Sequence, residues 1–168
     1  SLYEVTGSIT GLGTTINNLM LTYTPDAASN TVYVPTPIIN FNNTTYSVQL
    51  EANITYTITA NGVNDFELNS NTINISNSNT TSDLTFSPKP TYNVSITTTG
   101  LTSTEENSLQ LTFSNLNEPN YTYSFSSISG ISLRDGVYAI TTSGLDLYPV
   151  QMALTSNLVI NDNPVSKN

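Results

Sequence analysis

Tyr46-Ser47-Val48-Gln49-Leu50-Glu51-Ala52-Asn53-Ile54-Thr55-Tyr56-Thr57-Ile58-Thr59-Ala60-Asn61-Gly62 decides the fold. Tyr46, Val48 and Leu50 share one parity, Ile54, Tyr56 and Ile58 another, and polar residues fill the alternate positions. Period two belongs to strands with one face buried. Glu51-Ala52-Asn53 between the runs and Asn61-Gly62 after them are turn chemistry, so the stretch reads as a hairpin. The same alternation recurs at Tyr3, Val5 and Ile9 and at Leu19, Leu21 and Tyr23. Thr, Tyr, Val and Ile, which pack well on a pleated surface, supply most of these positions. Nowhere do apolar residues hold helical spacing over three turns; one turn around Pro25 to Ser29 is the best helical candidate.

A second copy of the pattern lies downstream. Tyr3-Glu4-Val5 with Gly11-Leu12 matches Tyr92-Asn93-Val94 with Gly100-Leu101, and Leu19-Met20-Leu21-Thr22-Tyr23 matches Leu109-Gln110-Leu111-Thr112-Phe113. Phe41 aligns with Phe125, Val48 to Ile54 with Ile131 to Val137, Tyr56-Thr57-Ile58-Thr59 with Tyr138-Ala139-Ile140-Thr141, and Ile73 and Ile75 with Leu158 and Ile160. Asn61-Gly62-Val63 and Ser143-Gly144-Leu145 are expected to close the two hairpins alike. The chain is therefore expected to be all-β, with two tandem antiparallel β-sandwich domains, Ig-like or transthyretin-like, covering 1–88 and 89–168. Each is of a size to fold alone. Pro88-Lys89-Pro90 should limit flexing between them, because an X-Pro step favours extended backbone. The first copy's last strand, Asp83-Leu84-Thr85-Phe86, has no evident counterpart, so the second copy's closing strand is expected to be cut short or reduced to Val165-Ser166-Lys167.

Composition removes much chemistry. The 168 residues contain 3 Lys plus Arg, 12 Asp plus Glu, no His and no Cys, for a net charge of -9. Triads built on His or Cys, imidazole or thiolate metal sites and disulfides are excluded. A phosphate backbone would be repelled, so no nucleic-acid partner is expected. Asn, Ser and Thr replace charge, at about 43% of the chain, where an ordinary domain is ~25% charged. Apolar runs are too short for a membrane-spanning helix, and no membrane insertion is expected. Ser1, with no basic segment and apolar stretch after it, suggests a mature product or a piece of something longer. The low-Lys, Asn/Thr-rich surface suits a secreted or cell-surface location.

Ile131-Ser132-Leu133-Arg134-Asp135-Gly136-Val137-Tyr138, followed by Gly144, resembles the strand, tight turn, Gly-x-Tyr strand signature of the transthyretin-like, carboxypeptidase-regulatory-like family. In the first copy Asn53 stands where Gly136 does. That resemblance implies an extracellular antiparallel sandwich that is a non-catalytic appendage. The Pro88 to Val94 junction, Leu133 to Tyr138 and Leu154-Thr155-Ser156-Asn157-Leu158 resemble tandem modules of large secreted bacterial polysaccharide-degrading enzymes of the pectate-lyase-like and pectinesterase-like kinds. The partner so implied is an adjoining catalytic domain. The fragment itself is expected not to be an enzyme, to be a monomer and to need no cofactor.

The alternative function is a carbohydrate-binding module for a plant cell-wall polysaccharide such as pectin. Tyr148 beside Pro149 and Tyr33 near Pro35 are its candidate exposed platforms. Tyr121-Thr122-Tyr123-Ser124-Phe125 also sets three aromatics on one face, but that face is expected to be core, with a structural role shared by Phe125 and Phe41. A pectin is anionic, and Arg134 alone is a poor provision for it. Calcium needs only oxygen ligands, and its candidate places are Asn61 to Glu67 and Asp135 with Glu105-Glu106; solvated turn carboxylates are the simpler reading.

Overall fold

The computed structural model describes residues 1–145 and 157–168. The chain divides into two compact units, Ser1–Lys89 and Pro90–Asn168, each a β-sandwich with its own core. The first contains β1 (Leu2–Thr10), β2 (Met20–Pro25), β3 (Ile38–Asn40), β4 (Thr45–Glu51), β5 (Thr55–Asn61), β6 (Phe66–Leu68), β7 (Thr72–Asn74), β8 (Thr80–Thr81) and β9 (Leu84–Pro88). One sheet runs β3-β4-β1-β9-β6, with β8 also paired to β1; the other runs β2-β5-β7. The inward faces carry the residues that alternation singles out: Val5, Ile9, Leu21, Tyr23, Tyr46, Val48, Leu50, Tyr56 and Ile58 are all buried.

The second unit contains β10 (Tyr92–Ile96), α1 (Ser103–Ser108), β11 (Gln110–Asn115), β12 (Thr122–Phe125), β13 (Ile131–Leu133), β14 (Gly136–Ser143), β15 (Asn157–Ile160) and β16 (Val165–Lys167). Its sheets are β13-β10-β16 and β12-β11-β14-β15. Val94, Leu111, Phe113, Ile131, Leu133, Tyr138, Ile140, Leu158 and Ile160 fill the core.

The expected hairpin is not one. β4 pairs with β1 while β5 pairs with β2, so the two halves of the deciding stretch lie in opposite sheets. β13 and β14 are divided in the same way, pairing with β10 and β11. Both connections are corners. Asn53 takes the left-handed conformation at φ 63°, and Gly136 sits at φ 149°, backbone that Asn and Gly tolerate best. Beyond each corner a tyrosine turns inward and is fully buried, Tyr56 in one unit and Tyr138 in the other.

Helical structure exceeds the expectation. A 3-10 turn at Ala27–Ser29 falls where one was expected, but a second occupies Gly13–Asn18, and α1 is a short helix with a capping box. Thr102 accepts the Glu105 N–H and the Glu105 side chain accepts the Thr102 N–H, satisfying two donors that a helix start leaves open. The glycines after β5 and β14 are required by these short helical segments. A Cβ on Gly62 would lie 2.0 Å from Asn18 O, and one on Gly144 2.1 Å from Ser108 O.

Tyr23 and Tyr46 stack in the first core with ring centroids 6.4 Å apart. Tyr46 donates to Ser82 O at 2.5 Å. The buried Tyr23 hydroxyl lies beside it but makes no hydrogen bond of good geometry among the described residues. A buried polar group left unmatched costs about 1–3 kcal/mol. Tyr23→Phe is therefore expected to raise the stability of the first unit by about 1 kcal/mol. Tyr46→Phe, which strips a partner from a carbonyl, should lower it by about the same or more. Urea melts of the two variants check the opposite signs.

Candidate functional site

A group of polar and charged side chains of the second unit gathers at the β13–β14 corner. Arg134 is 7% exposed. Its Nε lies 3.0 Å from Glu118 Oε2, and its guanidinium carbon lies 3.7 Å from the centre of the Tyr121 ring. Tyr138 donates to Arg134 O at 2.6 Å. Asn115, buried on β11, donates from Nδ2 to Asp135 O at 3.2 Å and accepts the N–H groups of Asn117 and Glu118 at 2.9 and 3.0 Å. Asp135 accepts the Asp162 N–H at 2.7 Å. Burial pushes the Tyr138 hydroxyl up to about 12, against the opposing pull of its hydrogen bond with Asn115. A phenol so held stays protonated and keeps its donor role. The corner is thus an anchoring network, in which Asn115, Asp135 and Tyr138 tie one stretch of backbone to another and Arg134 pairs with Glu118 over the Tyr121 ring.

The first unit has a leaner version. The Glu51 N–H donates to the Tyr56 hydroxyl at 3.3 Å, and burial again raises the phenol.

Tyr33 is half-buried, and its phenol donates to Gln49 O at 2.9 Å, fastening segment 31–37 along the edge of β4 beyond the end of β3. Its neighbours Val32 and Val34 are strongly exposed. Tyr148 lies outside the described residues. Of the aromatic run, Tyr121 is buried and Phe125 packs edge-on to Phe113, 5.8 Å between centroids, whereas Tyr123 is 46% exposed. The structural role expected for both Phe41 and Phe125 fails for Phe41. It is 43% exposed in the turn after β3, and β3 belongs to the sheet of β1, while β12 belongs to the sheet of β11. The two phenylalanines align in sequence, but Phe41 lies in a turn next to the sheet of β1 and Phe125 in a strand of the sheet of β11.

The acidic candidates for calcium have separate engagements. Glu105 completes the capping box of α1, Glu106 accepts a hydrogen bond from the Thr98 hydroxyl, and Asp135 holds Asp162. The Thr102 N–H and hydroxyl lower the Glu105 pKa. Among the described residues no group of three potential ligands gathers at a point.

One feature was not singled out in the sequence. The outward face of β3, β4, β1 and β8 forms an open depression of about 540 Å³. The strand registers arrange its side chains in rows. Ile38, Ser47, Thr6 and Thr81 stand side by side across four strands. Two residues along, Asn40, Thr45 and Ser8 form a second row, closed by Asp83, which accepts the Ser8 N–H at 2.9 Å. Neighbouring strands are ~4.8 Å apart and rows two residues apart are ~6.8 Å apart.

No family model matches the chain. No curated protein matches it either. Among solved structures it is similar to the Bacillus anthracis TIE protein, with 12% identity and a TM-score of 0.41, over 99% of this chain and 33% of that one. The chain thus spans about a third of that structure's length. Among the described residues no helix is long and apolar enough to cross a membrane.

Proposed function

We infer that this chain is a non-catalytic accessory pair, two copies of one sandwich scaffold, carried by a larger secreted or cell-surface protein of bacterial type, with a polysaccharide-degrading enzyme as the favoured parent. The observation that carries the reading is the corner network. Arg134, Asn115, Asp135 and Tyr138, the residues from which a polar site would be made, bond instead to the unit's own backbone or side chains. Shared registers support common descent of the units. Tyr56 faces Ile73 as Tyr138 faces Leu158, Tyr23 faces Ile58 as Phe113 faces Ile140, and Val5 pairs in parallel with Thr80 as Val94 does with Val165. β16 thereby takes the place of β8 rather than that of β9.

In this reading the partner is the adjoining domain of the parent chain, and the pair is monomeric and takes no cofactor. Pectin binding through Tyr148 and Tyr33 is the less favoured alternative. Arg134 is buried against Glu118, where a polyuronate cannot reach it without breaking that pair. Incubating the full chain with polygalacturonate, xylan and β-glucan, with and without calcium, tests the reading. No release of reducing ends or unsaturated products is expected. Turnover that scales with protein would overturn it.

A further inference from the structure

We propose that the outward face of β3, β4, β1 and β8 in the first unit is a docking site for a neutral polysaccharide chain. Five hydroxyls, those of Thr6, Ser8, Thr45, Ser47 and Thr81, line the depression on a two-dimensional grid fixed by the ladders. None of the five has a protein hydrogen-bond partner for its side chain among the described residues, whereas the phenols and amides around them do. The grid is both donor and acceptor at every point, as a polyol is.

Along one margin the chemistry changes. Ile38, at the outer end of the first row, is 70% exposed. A hydroxyl floor beside an apolar rim matches a sugar chain, whose rings carry hydroxyls at their edges and C–H groups on their faces. A site that hydrogen-bonds hydroxyls discriminates well against ligands lacking them, because its own groups would then go unmatched.

Charge selects the kind of sugar. Asp83 closes the second row, Glu4 stands on β1 two residues before Thr6, and the lining contains no Lys or Arg. An anionic chain would meet like charge without a compensating cation, at a cost that complementary interfaces avoid. A peptide fits less well than a sugar. Its recognition by a sheet relies on free backbone groups at an edge, and here Thr6 and Ser47, at the centre of the grid, have ladder partners on both sides. Pro35 and Pro37 also interrupt the donors of the outer segment. In the second unit the corresponding sheet has three strands, β13-β10-β16, and among the described residues no strand lies outside β13 to build the same width.

The site adds a binding role to the accessory pair and does not depend on that reading. Affinity electrophoresis of the full chain through gels containing hydroxyethylcellulose, galactomannan or soluble starch tests it, with polygalacturonate and denatured casein gels as the competing cases. Retardation by at least one neutral glycan and by neither competitor is expected. Thr45→Ala with Ser47→Ala should weaken the apparent affinity at least tenfold, and Ile38→Ser separately by several-fold, each with an unchanged melting midpoint. Thr24→Ala, on the exposed face of the opposite sheet, should leave retardation as it was. Retardation by no neutral glycan, stronger retardation by polygalacturonate or casein, or wild-type retardation of both groove variants would each overturn the proposal.

Discussion

Tyr138→Ala is expected to remove most of the stability of residues 90–168 while leaving the melting of 1–89 where it was. Tyr138 is fully buried at the centre of the second core, edge-on to Tyr121 with 6.1 Å between centroids. Truncating a buried aromatic costs about 3–5 kcal/mol through lost transfer energy and the cavity left behind. Loss of its bond to Arg134 O strands a buried carbonyl, adding about 1 kcal/mol or more. A domain of this size has about 4–12 kcal/mol in total. Tyr138→Phe isolates the second contribution and should cost about 1–3 kcal/mol. Urea unfolding should resolve two transitions, with only one displaced; an equal shift of both would disprove independent folding units. Tyr56→Ala is expected to do the reverse, and Thr24→Ala, an exposed control, to do neither.

Alternation predicted which side chains face inward because burial selects one parity of a strand regardless of its partner. For the same reason it could not name the partner. Tyr46 to Leu50 and Tyr56 to Ile58 are inward-facing in a hairpin and in a sandwich corner alike. Their assignment to opposite sheets depends on β1 and β2, more than twenty residues away. The parallel pairing of β8 with β1 is more remote still: Thr80 meets Val5 through a register that no local pattern contains. α1 was hidden differently. Thr102-Ser103-Thr104-Glu105 has the Thr-x-x-Glu spacing of a capping box, but no apolar periodicity follows it, and Glu105-Glu106 drew attention as acids rather than as a cap.

The groove was half legible. Thr6, Ser8, Thr45 and Ser47 occupy the polar parity of strands whose other parity is core, so their outward direction could be read. Their union into one surface required β3 and β8 to flank the pair, and Asp83 to reach across to Ser8 from 75 residues away. Arg134 shows the opposite limit. One of only three cations in an acidic chain invites a ligand-binding role, whereas burial over Tyr121 and beside Glu118 gives it a structural one.

Alkali should unfold this protein. Burial raises the phenols of Tyr23, Tyr46, Tyr56 and Tyr138, with Tyr138 at about 12. An unfolded tyrosine ionises near pH 10, so above that pH the unfolded chain releases protons that the folded chain retains. Stability is then fully present below about pH 10 and falls as pH rises, by up to about 1.4 kcal/mol per pH unit for each tyrosine still protonated in the fold. For Tyr138 alone the loss by pH 12 reaches about 2–3 kcal/mol. Three of these phenols, those of Tyr23, Tyr46 and Tyr56, lie in the first unit, which should unfold as pH rises through that range. On the acid side the Glu105 carboxyl is held below its ordinary range, so the stability it adds is present above that range and lost as pH falls below it. It sits exposed on a short helix, and its contribution is correspondingly small. Stepwise pH titration, following phenolate absorbance and circular dichroism together, should show ionisation of the buried tyrosines coinciding with unfolding. Tyr23→Phe should move the first transition to higher pH. Unchanged urea midpoints between pH 8 and pH 11 would show that these phenols are not held as the fold implies.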